Sequence, residues 1–410
     1  MVRMDKLLEV TNRIKTHMEA HYSLDMTRGK PSKEQLNLSL PMMDVLSSSS
    51  DYQSIEGLDV RNYGGLTGLK ECKELMSLVL GVPSNNVIIF GNSSLNAMYD
   101  QISRSYTHGV CDSTPWSKLE KVKWICLTPG YDRHFAICEH FNMEMISVPL
   151  NNDGPDMDKI EELVKDPSIK GLWCVPKYSN PSGISYSNKV IKRLAALKPA
   201  AKDFRIYYDN AYALHGFSDD KDLLNIYLEA KKNNNEDIVY IFTSTSKISF
   251  PGSGISAIGC SDNNIKDIES HLKYQTISYD KVNQLRHVRY FKDYQGLKNH
   301  AHKHSEILKK KFDVVLNTLE INAKDYANWT TPKGGYFITL TVDHIAKEVV
   351  DTCSQCGLKL TKAGATHPYG VDPTNSFIRI APSYLSLEEL KVASNILCDA
   401  IIYETLKKNH

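Results

Sequence analysis

The sequence predicts an α/β protein: a mostly parallel, seven-stranded sheet flanked by helices, joined to a smaller α+β unit. Three observations carry that expectation. Between about residues 60 and 260, short apolar runs alternate with helix-periodic stretches, the pattern of a sheet covered by crossover helices. The runs are apolar almost throughout, as strands buried on both faces are. Beyond residue 260 the alternation gives way to long amphipathic stretches and isolated strands.

The elements follow in order. Leu7, Leu8, Val10, Ile14 and Met18 recur at near-helical spacing and predict a helix over the first 22 residues. An extended segment, Thr27-Arg-Gly-Lys-Pro31, comes next. Strands are expected at Val87–Phe90, 124–127, 145–148, 172–175, 206–209, 238–242 and 255–259. Helices are expected between most of them, at 95–106, 133–140, 157–165, 188–197 and 223–232. The stretch to about residue 320 reads as one or two helices. The segment Gly334-Gly-Tyr-Phe-Ile-Thr-Leu340, a helix near 345–356, a strand at Phe377–Ile380 and a helix over 387–406 complete the α+β layer. The large unit is placed at 50–290, and the small one at 1–49 with 291–410.

Composition narrows the function classes. With 49 Lys and Arg against 48 Asp and Glu, the net charge of +1 offers no nucleic-acid footprint. No run of 18 apolar residues occurs, so no membrane span is expected. The N-terminus, Met-Val-Arg-Met-Asp-Lys, lacks the apolar core of a signal peptide, and a cytoplasmic protein is expected. The nine cysteines are an odd count, and Cys126, Cys138, Cys174 and Cys260 lie in apolar segments, as reduced core thiols do. Cys353-Ser-Gln-Cys356 lacks two further ligands, so no metal site is expected. His300, His302 and His304 lie among Lys298, Lys303 and Lys309 and read as a solvated helix face.

Four polar clusters fall where strands end. Gly91-Asn-Ser-Ser94 precedes a helix; its hydroxyls and free N–H groups suit a phosphate, with a plain N-cap as the competing use. Asn180-Pro-Ser-Gly183 presents an amide at the sheet edge, or simply a turn. Asp209-Asn-Ala-Tyr212 ends an apolar strand with a carboxylate, which is costly there unless it meets a cation or caps a helix. Ser244-Thr-Ser-Lys247 follows another strand. A lysine held in partly apolar surroundings loses solvation, and its neutral amine can attack a carbonyl. A phosphorylated heterocycle with a basic ring nitrogen and an aldehyde satisfies all four clusters, and pyridoxal 5′-phosphate has those groups.

With these motifs, Tyr63-Gly-Gly-Leu-Thr-Gly68-Leu and Phe377-Ile-Arg379-Ile-Ala stand in the same order as in a known family. The chain resembles the fold-type I pyridoxal-phosphate aminotransferases over nearly its whole length. Thr27-Arg-Gly-Lys-Pro-Ser and Thr243-Ser-Thr-Ser-Lys resemble an aspartate aminotransferase subgroup related to the aminotransferase-like domain of MocR-type regulators. The resemblance implies Lys247 as the Schiff-base lysine and proton-transfer base, and Asp209 as partner of the pyridinium nitrogen. It implies Asn180 and Tyr212 on the ring's phenolic oxygen and Tyr131 stacked on its face. Ser93, Ser94 and Ser244 are implied at the phosphate, with Tyr63 reaching the phosphate of a neighbouring subunit in a homodimer. Arg379 is implied as the grip on the substrate α-carboxylate, a task suited to a planar fork. Arg28 is a candidate for a second carboxylate by charge.

One departure stands out. Many members of that family carry an arginine shortly after the lysine, where this chain has Ser253 and Gly254. The expected activity is transamination of aspartate with 2-oxoglutarate. A β-eliminating lyase uses much the same residues. A cofactor-bound sensor domain of a MocR-type regulator is the remaining alternative, disfavoured by the short segment before Thr27 and by the balanced charge.

Overall fold

All seven expected strands form, and they lie in one sheet. The computed structural model describes residues 2–217 and 222–408. The sheet strands are Val87–Phe90 (β1), Lys123–Thr128 (β2), Glu144–Asn151 (β3), Gly154–Pro155 (β4), Ile169–Cys174 (β5), Arg205–Asp209 (β6), Val239–Ser244 (β7) and Ser256–Gly259 (β8). Their order is β1-β8-β7-β6-β5-β2-β3-β4. The eighth strand, β4, was not expected; it is a two-residue return against β3, too short to leave a periodic signal. β5 also begins earlier than its apolar run, because Lys170 is buried there in an ion pair with Asp203 at 2.7 Å.

Direction matters more than order for the site. β7, β6, β5, β2 and β3 run parallel, while β8 is antiparallel to both β7 and β1. Two reversals restore the direction, so the carboxyl ends of β1, β2, β5, β6 and β7 open on one edge. Ligands bind at that edge in open α/β sheets. Alternation along the strands fills both faces. Ile89, Leu172, Ile206 and Ile241 pack with Cys72 and Leu194 on one side. Ile88, Trp124, Trp173, Tyr207 and Phe242 pack with Met98 and Phe135 on the other. Each large side chain buried this way contributes about 1.5–3 kcal/mol.

Gly171 of β5 is required by close packing, since a Cβ there would lie 2.2 Å from the Trp124 ring. Gly171→Ala is expected to destabilise the fold by roughly 1–3 kcal/mol through overpacking. A lowered urea midpoint would show it; an unchanged midpoint would mean that the indole yields freely.

A second core lies around an antiparallel sheet of Asn328–Trp329 (β9), Ile338–Thr341 (β10) and Phe377–Ile380 (β11). Ile14, Met26, Phe312, Leu340, Ile378 and Leu397 belong to it. The helix Val2–Glu19 packs on the last helix, Leu387–Lys408, where Asp399 meets Arg13 at 2.8 Å and His17 at 2.9 Å. Cys353 and Cys356 are buried in this core, and among the described residues no cluster could hold a metal ion. No helix among the described residues is long and apolar enough to cross a membrane.

Two expectations for the stretch after residue 260 are corrected. It forms three helices, Asp262–Gln275, Lys281–Phe291 and Tyr294–Asn322. The breaks are set by caps: Asp280 accepts from Asn283 N and Asp293 from Gly296 N. His300 and His304 are not on a solvated face but buried, on the same face as Leu297 and Leu308, whereas His302 and the lysines 298, 303 and 309 face outward. His300 Nε2 lies 2.7 Å from the Ile248 carbonyl and 3.2 Å from His304 Nε2.

Burial pushes the His304 imidazole down to about 3, and that of His287 down to about 4. Both are depressed below the unfolded value near 6.5, so the unfolded chain binds the extra protons. Stability is therefore full above about pH 6.5 and falls as pH drops through this window, by about 1.4 kcal/mol per pH unit and group. Urea midpoints at pH 7 and pH 5 test this, and a midpoint higher at pH 5 would contradict it.

Candidate active site

The strand ends converge on one cleft. It is lined by Arg28, Ser93, Ser94, Tyr131, Asn180, Asp209, Tyr212, Ser244, Lys247 and Arg379, all singled out from the sequence. Tyr63 lies outside the cleft and is 77% exposed.

Asp209 ends β6 and is buried. Its Oδ2 lies 3.2 Å from His134 Nε2. The His134 ring is itself fixed by stacking on Trp173 at 4.4 Å. Asp209 Oδ1 is buried with no hydrogen-bond partner among the described residues. An orphaned carboxylate oxygen in a cleft is costly and calls for a donor.

Lys247 sits in the turn after β7. That turn is tied by Thr245, whose N–H donates to the Ile255 carbonyl and whose hydroxyl accepts from the Ile255 N–H. The amine lies over the rings of Tyr212 at 5.2 Å and Tyr336 at 5.7 Å. Burial holds its pKa below the ordinary lysine value, against an upward pull from Asp209. Burial also raises the phenol of Tyr212 well above its usual range and that of Tyr131 to about 12, so both are protonated donors at neutral pH.

Ser93 precedes the helix Ser94–His108 and makes no side-chain cap bond, which leaves its hydroxyl free for the cleft. Ser244 ends β7 beside it.

Arg379, on β11, forms the opposite wall and is 4% exposed. Its Nη2 donates to the Thr361 hydroxyl at 3.1 Å and the Thr27 carbonyl at 3.3 Å, and its Nη1 to Asn180 Oδ1 at 3.4 Å. The guanidinium lies over Phe337 at 5.1 Å. Nη1 also meets Asp132 Oδ1 at 2.7 Å. Arg28 is exposed at the cleft mouth, without an ion-pair partner among the described residues; Lys30 beside it is paired with Asp25 at 3.4 Å.

Sequence reasoning missed Asp132, Ser246, His134 and Phe337. His134 stood three positions after Tyr131, a helical spacing that brings the two rings within 4.9 Å, and Asp132 stood directly after Tyr131. Ser246 stood between two residues already chosen. Ser253 and Gly254, where a cation was sought, lie away from the cleft lining, and Arg286 donates to the Ser253 hydroxyl at 2.5 Å.

This arrangement is that of the fold-type I pyridoxal-phosphate transferases: a large, mostly parallel sheet with the lysine and aspartate at its carboxyl edge, and a smaller α+β unit that carries an arginine. The family model described as aspartate amino-transferase matches residues 3–408. The chain belongs to this family and is an aminotransferase. An aspartate aminotransferase of Corynebacterium glutamicum is 45% identical over 384 residues, covering 92% of this chain and 89% of that protein. A crystal structure of an aspartate transaminase from Corynebacterium glutamicum superposes with a TM-score of 0.95 at 42% identity, covering 98% of this chain and 96% of that one. The transcriptional regulator NorG of Staphylococcus aureus is 28% identical over 221 residues, 52% of this chain and 46% of the regulator.

Family membership implies pyridoxal 5′-phosphate as cofactor, and the cleft fits it. The orphaned Asp209 Oδ1 suits a ring N–H, the desolvated Lys247 amine suits a carbonyl carbon, and the uncapped Ser93 hydroxyl suits a phosphate oxygen.

Proposed function

We propose that the protein transfers the amino group of aspartate to 2-oxoglutarate, using pyridoxal 5′-phosphate held in this cleft. The single observation that carries the reading is Asp209 Oδ1, buried and unpartnered at the end of β6 in the same cleft as Lys247 and Arg379. When bound, the cofactor supplies a carbonyl that takes up an amine and a protonated ring that accepts the electron pair left at the substrate Cα.

The residues then divide the work. Asp209, oriented by His134, keeps the ring nitrogen protonated. Lys247 Nζ would hold the cofactor's carbonyl group at rest and carry the Cα proton during transfer, a role that suits an amine with a lowered pKa. Tyr212 and Asn180 would hold the ring's phenolic oxygen, and Tyr131 would pack against the ring. Ser93, Ser244 and Ser246, with the N–H groups opening the helix at Ser94, hold the phosphate without an arginine from the segment after Lys247. Arg379 grips the α-carboxylate, and the unpaired Arg28 reads the second carboxylate. Exposed Tyr63 is free to reach a neighbouring subunit's cleft in a homodimer. The separate cores support a large unit at 50–290 and a small one at 1–49 with 291–410.

The test adds single amino acids to the loaded protein and follows the cofactor's absorbance. Aspartate is expected to convert the carbonyl form to the amine form, and 2-oxoglutarate to reverse it. Pyruvate and ammonia release would point instead to elimination. Arg379→Lys replaces a fork by a point charge and is expected to raise KM for aspartate about 10- to 100-fold, the loss of one or two charged hydrogen bonds. Equal KM values would remove Arg379 from the substrate.

A further inference from the structure

We infer that Asp132 is a built-in competitor for the substrate carboxylate: its side chain occupies Arg379 in the absence of substrate and must let go for substrate to bind. This deepens the reading above and rests on Arg379 as the carboxylate grip.

The contact is between unequal partners. Arg379 is 4% exposed and held by Thr361, Thr27 and Asn180 besides the Phe337 ring. It cannot leave. Asp132 is 26% exposed, lines the cleft and touches the guanidinium through one oxygen, Oδ1, at 2.7 Å. It stands at the first position of the helix Asp132–His140, where the chain turns off the sheet edge, and its side chain has water to turn into. A carboxylate in single contact at this distance imitates a carboxylate ligand. It saves a buried guanidinium from standing unpaired, and it keeps Nη1 aimed into the cleft. An arriving substrate that makes two parallel hydrogen bonds gains more than the single contact it displaces.

The competition has a kinetic meaning. A transaminase must bind one amino acid and release the corresponding oxo acid in each half of its cycle, and both carry the same α-carboxylate. A resident anion weakens both complexes equally and so favours release, without touching the groups that move the proton. Asp132 is therefore a positioning residue, and its removal should show in KM and Kd before it shows in kcat.

The experiment uses the cofactor-loaded protein and titrates it with maleate, a dicarboxylate that has no amino group to react. It does so for the parent, Asp132→Asn and Arg379→Lys, and measures KM and kcat for aspartate beside each. Asp132→Asn keeps the shape and removes the charge. It is expected to lower the maleate Kd and the aspartate KM by about two- to fivefold, the range of a part-exposed ion pair. Arg379→Lys is expected to raise both. An Asp132→Asn protein with unchanged or weaker maleate binding, beside a weakened Arg379→Lys, overturns the competitor and leaves the grip intact. An Arg379→Lys protein that binds maleate normally overturns both. Should Asp132→Asn fail to fold, Asp132→Ser carries the same expectation.

Discussion

Lys247→Ala is expected to abolish turnover while leaving the fold and the cleft in place. The lysine makes no hydrogen bond through its amine among the described residues; the amine lies over two aromatic rings. The turn that presents it is tied by backbone and by Thr245, not by the amine. Truncation therefore costs little stability and removes the amine proposed to move the Cα proton. Loss of a proton-transfer base alone accounts for roughly 10²–10⁴-fold in kcat, and loss of the covalent anchor adds to it. Single-turnover absorbance changes with aspartate provide the measurement. Turnover at the parent rate would refute the assignment, whatever the cofactor's affinity.

Asp209→Asn carries the second-largest effect. The substitution keeps the shape and the contact to His134 but removes the charge that would hold a proton on a ring nitrogen. The site is buried, so water supplies no substitute anion. A fall in kcat of about 10²–10³-fold is expected, the scale of losing one preorganised electrostatic group. Asp209→Ala should be no better, since it also frees His134. Unchanged activity in the isosteric variant would separate Asp209 from the reaction and return it to a structural role.

The edge that lines the cleft was legible because most of its residues stand at the end of, or after, a strand that announces itself. Val87–Phe90 and Ile238–Phe242 are apolar runs, and what comes after such a run in this fold lies on the ligand-binding edge. Lys247, Asp209, Asn180 and Ser93 needed no tertiary knowledge. Arg379 was different. Its place on β11 could be read, but its company could not, because Asp132 lies 247 residues away and local pattern says nothing of such a pair. His300 and His304 failed for the opposite reason. Lysines at 298, 303 and 309 suggested a wet helix, yet a spacing of four puts the two histidines together on the dry side, with Leu297 and Leu308. The signal was present in the spacing and was outweighed by the charge of its neighbours. β4 was never legible, since two residues carry no period.

One consequence follows from where the two walls of the cleft are built. Asp209 ends a strand of the eight-stranded sheet and Lys247 follows another, while Arg379 belongs to a three-stranded sheet with a core of its own. A ligand fastened to both acts as a noncovalent staple between the two sheets, adding to the buried clusters they already share. Neither can open locally without surrendering the ligand, so the openings of the two merge into one event, deferred by RT ln(1 + [L]/Kd). Saturating dicarboxylate should thus turn a broad, multistep melting curve into a sharper one, with amide exchange slowed in both sheets at once.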